Sequence, residues 1–510
     1  MPNLLPVRVD ESLNDILDCS IIRSAKPPNP PGRTPFMLAT ITDFLWSYVL
    51  VFVLVAIGVT FTVASRFVQF RYFIEMFRVL GQAFKHEPGR VSSFQALTLS
   101  VAGRVGAGNI AGVAVAITLG GPGAVFWMWV IGLIGMATSF FECSIAQAYK
   151  TRSAVDGGAF RGGPAHYITR GIGSRGLAMV FSLLLLVTFG LAFVGLQSFV
   201  ASSSLEDAFG IPTAFSGIAL TAVVGLVIFG GVRRMASVTE ILVPLMAVAY
   251  ILVALVVVAF NFSQVPDALM LIVRAAFGLE EAVAGGIGAA IMMGVRRGLF
   301  SNEAGLGSAP NVAAVAWVPH PVNQGIVQAL SVFIDTAIIC TCTAFLILMS
   351  GVYVPDVEAN GVVMTQAALS EHVGDWGRTF VSCVLLLFAF SSILYNAYLG
   401  ENSLSFFWPG NQTLFNSFRA ALLGLILWGS VQDLSTVFAF ADLTMALLAL
   451  VNLAALALLF KVGLRLMRDY DEQSRAGKVP VFDPARFPDL NIDADAWSDA
   501  DQRVEETDRG

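Results

Sequence analysis

Val105-Gly106-Ala107-Gly108-Asn109 interrupts an otherwise apolar helical stretch over residues 93–119. The stretch runs from Phe94 to Ala102, then Gly103-Arg104-Val105-Gly106-Ala107-Gly108-Asn109, then Ile110 to Leu119. Gly103, Gly106 and Gly108 each cost about 1 kcal/mol in a helix relative to alanine, a poor way to build a plain span. Unwound backbone is tolerated at membrane depth only where protein buries it or where it lines a cavity. Such a break leaves free C=O groups at the end of one half-helix and free N–H groups at the start of the other. These ends suit a cation and a carboxylate respectively. The ordinary alternative is that the glycines only allow close helix packing. A second cluster, Ala284-Gly285-Gly286-Ile287-Gly288-Ala289-Ala290, weighs against it. Matching Gly108 to Gly288 gives an offset of 180 residues with five spans between the starts. The two halves then cross the membrane in opposite senses, and paired interruptions of inverted halves point to a midplane transport site.

Composition supports the membrane setting. The chain has 510 residues, 56% hydrophobic and only 13% charged, against about 25% charged in soluble domains. Runs of about 20 apolar residues suffice to span. They fall near 43–65, 93–119, 124–149, 177–200, 213–229, 238–260, 282–300, 323–350, 379–403, 413–430 and 435–460, about eleven spans. Lys and Arg concentrate in one set of alternate loops (Arg66 to Arg90, Lys150 to Arg175, Arg233-Arg234, Arg296-Arg297, Lys461 to Arg468). Those loops are expected in the cytoplasm. With an odd number of spans, the N-terminal segment 1–42 lies outside and the C-terminal segment 461–510 inside. The acidic stretch from about Val479 to Gly510 reads as a solvated, largely disordered extension. A net charge of −6 gives no sign of nucleic-acid binding. Residues 1–40 show no signal-peptide pattern. The five cysteines have no metal-ligand spacing and are expected as free thiols.

Several long blocks resemble the alanine/glycine:cation symporter family of the amino acid–polyamine–cation superfamily. They are Gly108-Asn109-Ile110-Ala111-Gly112-Val113-Ala114, Gly120-Gly121-Pro122-Gly123-Ala124-Val125-Phe126-Trp127-Met128-Trp129 and Gly162-Gly163-Pro164. Arg297-Gly298-Leu299-Phe300-Ser301-Asn302-Glu303-Ala304-Gly305, Phe333-Ile334-Asp335-Thr336 and Phe388-Ala389-Phe390-Ser391 complete the set. The resemblance implies an all-α membrane protein of LeuT-like fold. One extra N-terminal helix (43–65) would precede two inverted five-span repeats, 93–260 and 282–460. It also implies sodium-driven uptake of small neutral amino acids, alanine and glycine, across the cell membrane.

Carried onto this chain, the resemblance places the sodium ion between the carbonyls of Ala102 and Val105 and the facing span. There the Phe388 carbonyl and the Ser391 and Ser392 hydroxyls are candidate ligands. Hydroxyl back-bonding within the helix is the ordinary reading of such a serine pair. The substrate carboxylate is expected on the N–H groups around Gly106, Ala107, Gly108 and Asn109. The ammonium is expected near Gly285, Gly286 and Ile287, and Gln197 is placed to hydrogen-bond the solute. The chain departs from the family pattern at Tyr395-Asn396-Ala397-Tyr398, in place of a tryptophan-containing segment.

Charged groups inside spans cost at least about 2.5–3.5 kcal/mol and ask for partners. Two readings stand for Arg104: its guanidinium replaces a second bound cation, or it pairs with Glu142 or Asp335. Glu142 and Asp335 are expected in structural or gating roles. Glu303, with Asn302, Arg296 and Arg297, is a candidate inner-gate network, with a solvated loop as the alternative. A proton-coupled transporter, or one for another small solute, is the rival within the class. An intramembrane enzyme is disfavoured because HExxH and GxSxG are missing, and a phosphate-driven pump because the P-loop is missing.

Overall fold

The computed structural model describes residues 40–84, 90–152, 159–279, 286–353, 361–432 and 435–498, with side chains in the last stretch from Phe440 onward. The N-terminal 39 residues, including most of the expected external segment, and Gly285 lie outside the described residues.

Helices form α1 (Thr40–Ala64), α2 (Phe73–Gln82), α3 (Ser93–Arg104), α4 (Gly108–Gly120) and α5 (Gly123–Ala148). They continue with α6 (Arg175–Phe209), α7 (Thr213–Ile228), α8 (Gly231–Phe260), α9 (Val265–Ala276) and α10 (Gly286–Asn302). The last are α11 (Pro321–Leu348), α12 (Gly361–Val373), α13 (Trp376–Phe407), α14 (Gln412–Ser430) and α15 (Ser435–Arg475). A two-residue antiparallel ladder, Thr151–Arg152 with Phe160–Arg161, is the sheet structure found among the described residues.

A helix stands at every expected span position. Among the described residues seven are long and apolar enough to cross a membrane, or eight if the bent pair α3/α4 counts as one span. The expected eleven is therefore not met by length and composition. α7 and α10 are short, at 16 and 17 residues, and α14 carries Arg419 and several polar residues in its first half. α2, α9 and α12 are additional helices outside the expected spans.

Burial sorts the spans. In α13, α5 and α11 the spanning windows are 78%, 67% and 67% buried, whereas α1 and α8 reach only 28% and 33%. The first three form the core and the last two face outward. α5 packs on α10 and α11 through small residues: a Cβ at Gly298 would meet Ile131, and one at Gly325 would meet the Phe140 carbonyl.

The expected disordered tail is ordered as far as Ser498. α15 extends through Arg475, and the chain then folds back along the bundle end. Phe482, Phe487, Ala496 and Trp497 are buried there, with Phe482 4.8 Å from Trp497 and 5.3 Å from Phe487 between ring centres. Acidity does not keep this stretch solvated, because its carboxylates find arginines. Asp489 takes both Arg465 guanidinium nitrogens, and Asp493 lies 3.8 Å from Arg170.

Candidate functional site

The first break is built by specific bonds. Ser92 caps α3 through a reciprocal pair with Gln95, and α3 ends where Val105 turns extended (φ −81°, ψ 97°). α4 leaves at 48° to α3. The turn is fixed by Asn109, whose Oδ1 accepts from the Gly106 N–H at 2.9 Å. Glycine is required by close approach. A Cβ at Gly103 would sit 2.1 Å from the Tyr395 ring, and one at Gly106 would sit 2.9 Å from Ser392 Oγ.

The candidate cation ligands divide. The Ser392 hydroxyl donates to the Ala102 carbonyl at 2.8 Å, joining α13 to the end of α3. Ser391 instead donates to the Phe388 carbonyl at 3.0 Å within its own helix. Val105, Ala102, Phe388, Ser391 and Ser392 are all buried. Gln197 joins them: its amide lies within 3.9 Å of a Cβ position on Gly106. It is buried, and its Oε1 accepts no hydrogen bond. A buried amide oxygen without a donor is costly unless something supplies one.

Asn109 spends its remaining donors on the protein. Its Nδ2 reaches Asp335 Oδ1 at 2.6 Å and Ser301 Oγ at 3.0 Å. Asp335 also accepts from Ser301 and Thr336, each at 2.8 Å. Asp335 is thus satisfied by three neutral donors, and Asn109 positions the break.

The second interruption is displaced from its expected place. α10 runs without a break from Gly286 through Gly288 to Asn302. Ile287 is 44% exposed and packs by Gly278, so Gly286 and Ile287 stand outside the buried cluster. The irregular segment is Glu303-Ala304-Gly305-Leu306-Gly307-Ser308, followed by a helical turn Ala309–Ala313. Glu303, Gly305 and Gly307 take φ of +54°, +90° and +80°. Carboxylates hold this segment. Glu303 accepts from Ser308 at 2.6 Å and from the Tyr395 hydroxyl at 3.0 Å. Asn452 bridges the Gly305 carbonyl and Glu142 Oε2, at 2.9 and 3.1 Å. Glycines here read as a loop because polar residues surround them; the Gly-x-Gly pair at Gly305 and Gly307 was the signal available. The two breaks meet: a Cβ on Gly108 would touch Phe300 and Ser301 at the end of α10.

Arg104 is fully buried but has no carboxylate within 4.0 Å among the described residues. The expected contact pair with Glu142 or Asp335 is not formed. Its guanidinium donates to the Gln328 carbonyl (3.1 Å), Gln328 Oε1 (3.3 Å), Ser139 Oγ (3.0 Å) and Ser331 Oγ. Those oxygens come from α5 and α11, so neutral groups and not a contacting carboxylate hold the guanidinium. Arg296 likewise leaves Glu303 alone, pairing with Asp442 at 2.6 Å and Asp43 at 3.0 Å.

A family model described as the sodium:alanine symporter family matches residues 34–484. The amino-acid carrier protein AlsT of Bacillus subtilis is 46% identical over 463 residues, covering 91% of this chain and 97% of its own. The probable sodium/glutamine symporter GlnT of the same species is 46% identical over 442 residues, covering 86% and 91%. A sodium/proton-dependent alanine carrier protein of a Bacillus species is 37% identical over 448 residues, covering 84% and 99%. Among solved structures, the manganese transporter of Eremococcus coleocola aligns with a TM-score of 0.49 at 15% identity, covering 77% of this chain and 81% of that one.

Proposed function

The chain belongs to the sodium:alanine symporter family, and from that premise we propose that it is a sodium-coupled secondary symporter importing small neutral amino acids, alanine and glycine, by alternating access. Its relatives are named carriers and symporters, so it is a multi-pass membrane transport protein and not an enzyme. In the proposed arrangement the fold is LeuT-like, with α1 preceding two inverted five-span repeats that open on α3/α4 and α10. The N-terminus lies outside the cell membrane and α15 ends in the cytoplasm.

The observation that carries the reading is the Ser392 hydroxyl set against the Ala102 carbonyl where α3 stops. Oxygens without formal charge, clustered at the negative end of a half-helix, suit a hard monovalent cation. Sodium takes the carbonyls of Ala102, Val105 and Phe388 with the two serine hydroxyls. The carboxylate of the amino acid takes the N–H groups of Ala107 and Gly108 at the positive start of α4. The ammonium takes Gln197 Oε1 and the carbonyl end of α10, which replaces Gly285 to Ile287 in this role. Glycine at positions 106 and 108 leaves room for a small side chain only. Arg104, held by neutral oxygens as a bound cation would be, takes the place of a second cation and restricts coupling to one sodium.

Uptake in proteoliposomes at fixed pH, with a sodium gradient and alanine, glycine and glutamine as solutes, tests the reading. Sodium-dependent accumulation of alanine or glycine is expected. Accumulation driven by a pH gradient alone would assign proton coupling, and no uptake of any small neutral amino acid would overturn the reading. For Arg104→Ala, the charge moved per solute should change; unchanged coupling and sodium affinity would remove the cation-surrogate role.

A further inference from the structure

Where α1 ends beside α15, a pocket of about 210 Å³ is lined by Arg66, Arg71, Arg468 and Arg475, with Asp471 and Glu472 between the last two and Ala64, Leu464 and Met467 as apolar wall. The two acids are already engaged. Asp471 lies 3.3 Å from Arg71 and accepts the Tyr72 hydroxyl at 2.5 Å, while Glu472 lies 3.7 Å from Arg486. Arg66, Arg468 and Arg475 have no carboxylate within 4.0 Å among the described residues. Three guanidinium groups therefore line one pocket with no ion pair of their own among the described residues. Like charges brought together in this way call for an outside anion, and guanidinium forks fit phosphate oxygens in pairs.

The surroundings fix what kind of anion it is. α1 ends in two consecutive left-handed residues, Arg66 (φ +56°) and Phe67 (φ +59°). That turn puts Arg66 on the pocket wall and leaves Phe67 exposed. Phe70, Ile74 and Phe77 continue the outward row, with Ile74 78% exposed, while Met76 and Val79 of α2 face the protein. A helix with apolar residues on both its protein face and its outer face, at the end of a spanning helix, lies at the level of lipid headgroups. Above the pocket, α1 presents Val59 and Val63 outward. A ligand here has a phosphate in the pocket and hydrocarbon along α1.

We propose that this pocket binds the phosphate headgroup of an anionic phospholipid, with its acyl chains lying along the exposed face of α1. Basic pockets between the ends of membrane helices are the general setting for such sites. The phosphate offsets part of the charge of the three arginines and ties the end of α1 to the end of α15, so the lipid stabilises the fold without touching the transport site.

The test uses the full chain in detergent, with the unfolding temperature read after adding phosphatidylglycerol, phosphatidylcholine or inorganic phosphate. Phosphatidylglycerol should raise the midpoint of the natural protein by about 2–3 °C, as a ligand near a hundred times its dissociation constant does in a chain of this size. Phosphatidylcholine and inorganic phosphate should not. The triple variant Arg66→Gln/Arg468→Gln/Arg475→Gln should lose most of the gain, while Arg175→Gln/Arg234→Gln, at exposed arginines outside the pocket, should keep it. If the triple variant does not fold, Glu472→Gln reads the same site in the other direction, and its gain should exceed that of the natural protein. Equal gains in the natural protein and the triple variant, or no increase in Glu472→Gln, would overturn the site. An equal response to phosphatidylcholine would remove the charge requirement, and a full response to inorganic phosphate would reassign the pocket to a soluble anion.

Discussion

Ser391 and Ser392 are adjacent and chemically identical, yet the structure uses them differently. One bonds back along its own helix and the other crosses to Ala102. Sequence could name the pair but not divide it, because the division depends on which way residue 392 faces after 16 residues of α13. In the proposed mechanism Ser392→Ala removes a ligand hydroxyl that already lies on the ion path. The half-saturating sodium concentration should rise about tenfold, near 1.4 kcal/mol, with solute affinity following through coupling. Ser391→Ala should shift it by less than about threefold, since its hydroxyl bonds along its own helix and is the weaker of the two ligands, whereas Ser392 already reaches the carbonyl end of α3. Sodium activation curves of the two variants check this, and equal shifts would dismiss the division. Arg104 teaches the converse lesson. Charge counting suggested an acidic partner, but the partners are carbonyl, amide and hydroxyl oxygens, and no charge pattern in a sequence announces those.

At the scale of elements, apolar runs made the helix positions legible, since every expected span has its helix. The first break was legible too, because glycines inside an apolar run have few other uses. The second was misplaced for the same reason: Gly285 to Gly288 stood in apolar surroundings, whereas Gly305 and Gly307 stood among Glu303, Asn302 and Ser308. The structure gives those polar residues work: Asn302 accepts from the Ala304 N–H at 3.0 Å, satisfying backbone that the break exposes, while Ser308 and Glu303 bond each other across it. Tyr395 connects the two breaks, its ring covering Gly103 and its hydroxyl reaching Glu303. Gly103→Ala would force a fully buried ring aside, an overpacking cost of about 1–3 kcal/mol, and would also pull the hydroxyl from Glu303. Tyr395→Leu leaves space for the added methyl. Combining Gly103→Ala with Tyr395→Leu should therefore lower the unfolding midpoint by less than the sum of the single changes. Strict additivity would show that Tyr395 is not what excludes a side chain at residue 103.

For the molecule as a whole, the least legible feature is the returning tail, whose aromatic residues are too widely spaced to announce a core. It docks through the loop that follows the second break. The Phe482 N–H donates to the Pro319 carbonyl at 3.0 Å, and the neighbouring His320 ring packs against Phe482 and Tyr470. Lys150 is held between the Phe160 and Trp497 rings at 4.1 and 4.0 Å, so the tail also covers the end of α5. His320 makes this joint sensitive to acid. Its Nδ1 accepts from the Val322 N–H at 3.2 Å, which requires that nitrogen to be unprotonated, and Nε2 then donates to Asp469 at 3.2 Å. Burial pushes the His320 pKa below its ordinary 6.5; Asp469 opposes the shift and Arg486 adds to it. The unfolded chain therefore takes up the proton more readily than the folded one. The stabilisation is complete above the ordinary value and is lost as pH falls below 6.5 toward the lowered one. The unfolding midpoint should drop between about pH 7.5 and 5.5, and trypsin should cut at Lys478 and Arg486 faster over the same interval. His320→Asn can still accept from Val322 through its amide oxygen but cannot be protonated, so both pH responses should flatten. A variant as acid-sensitive as the natural protein would place the titrating group elsewhere than at this joint.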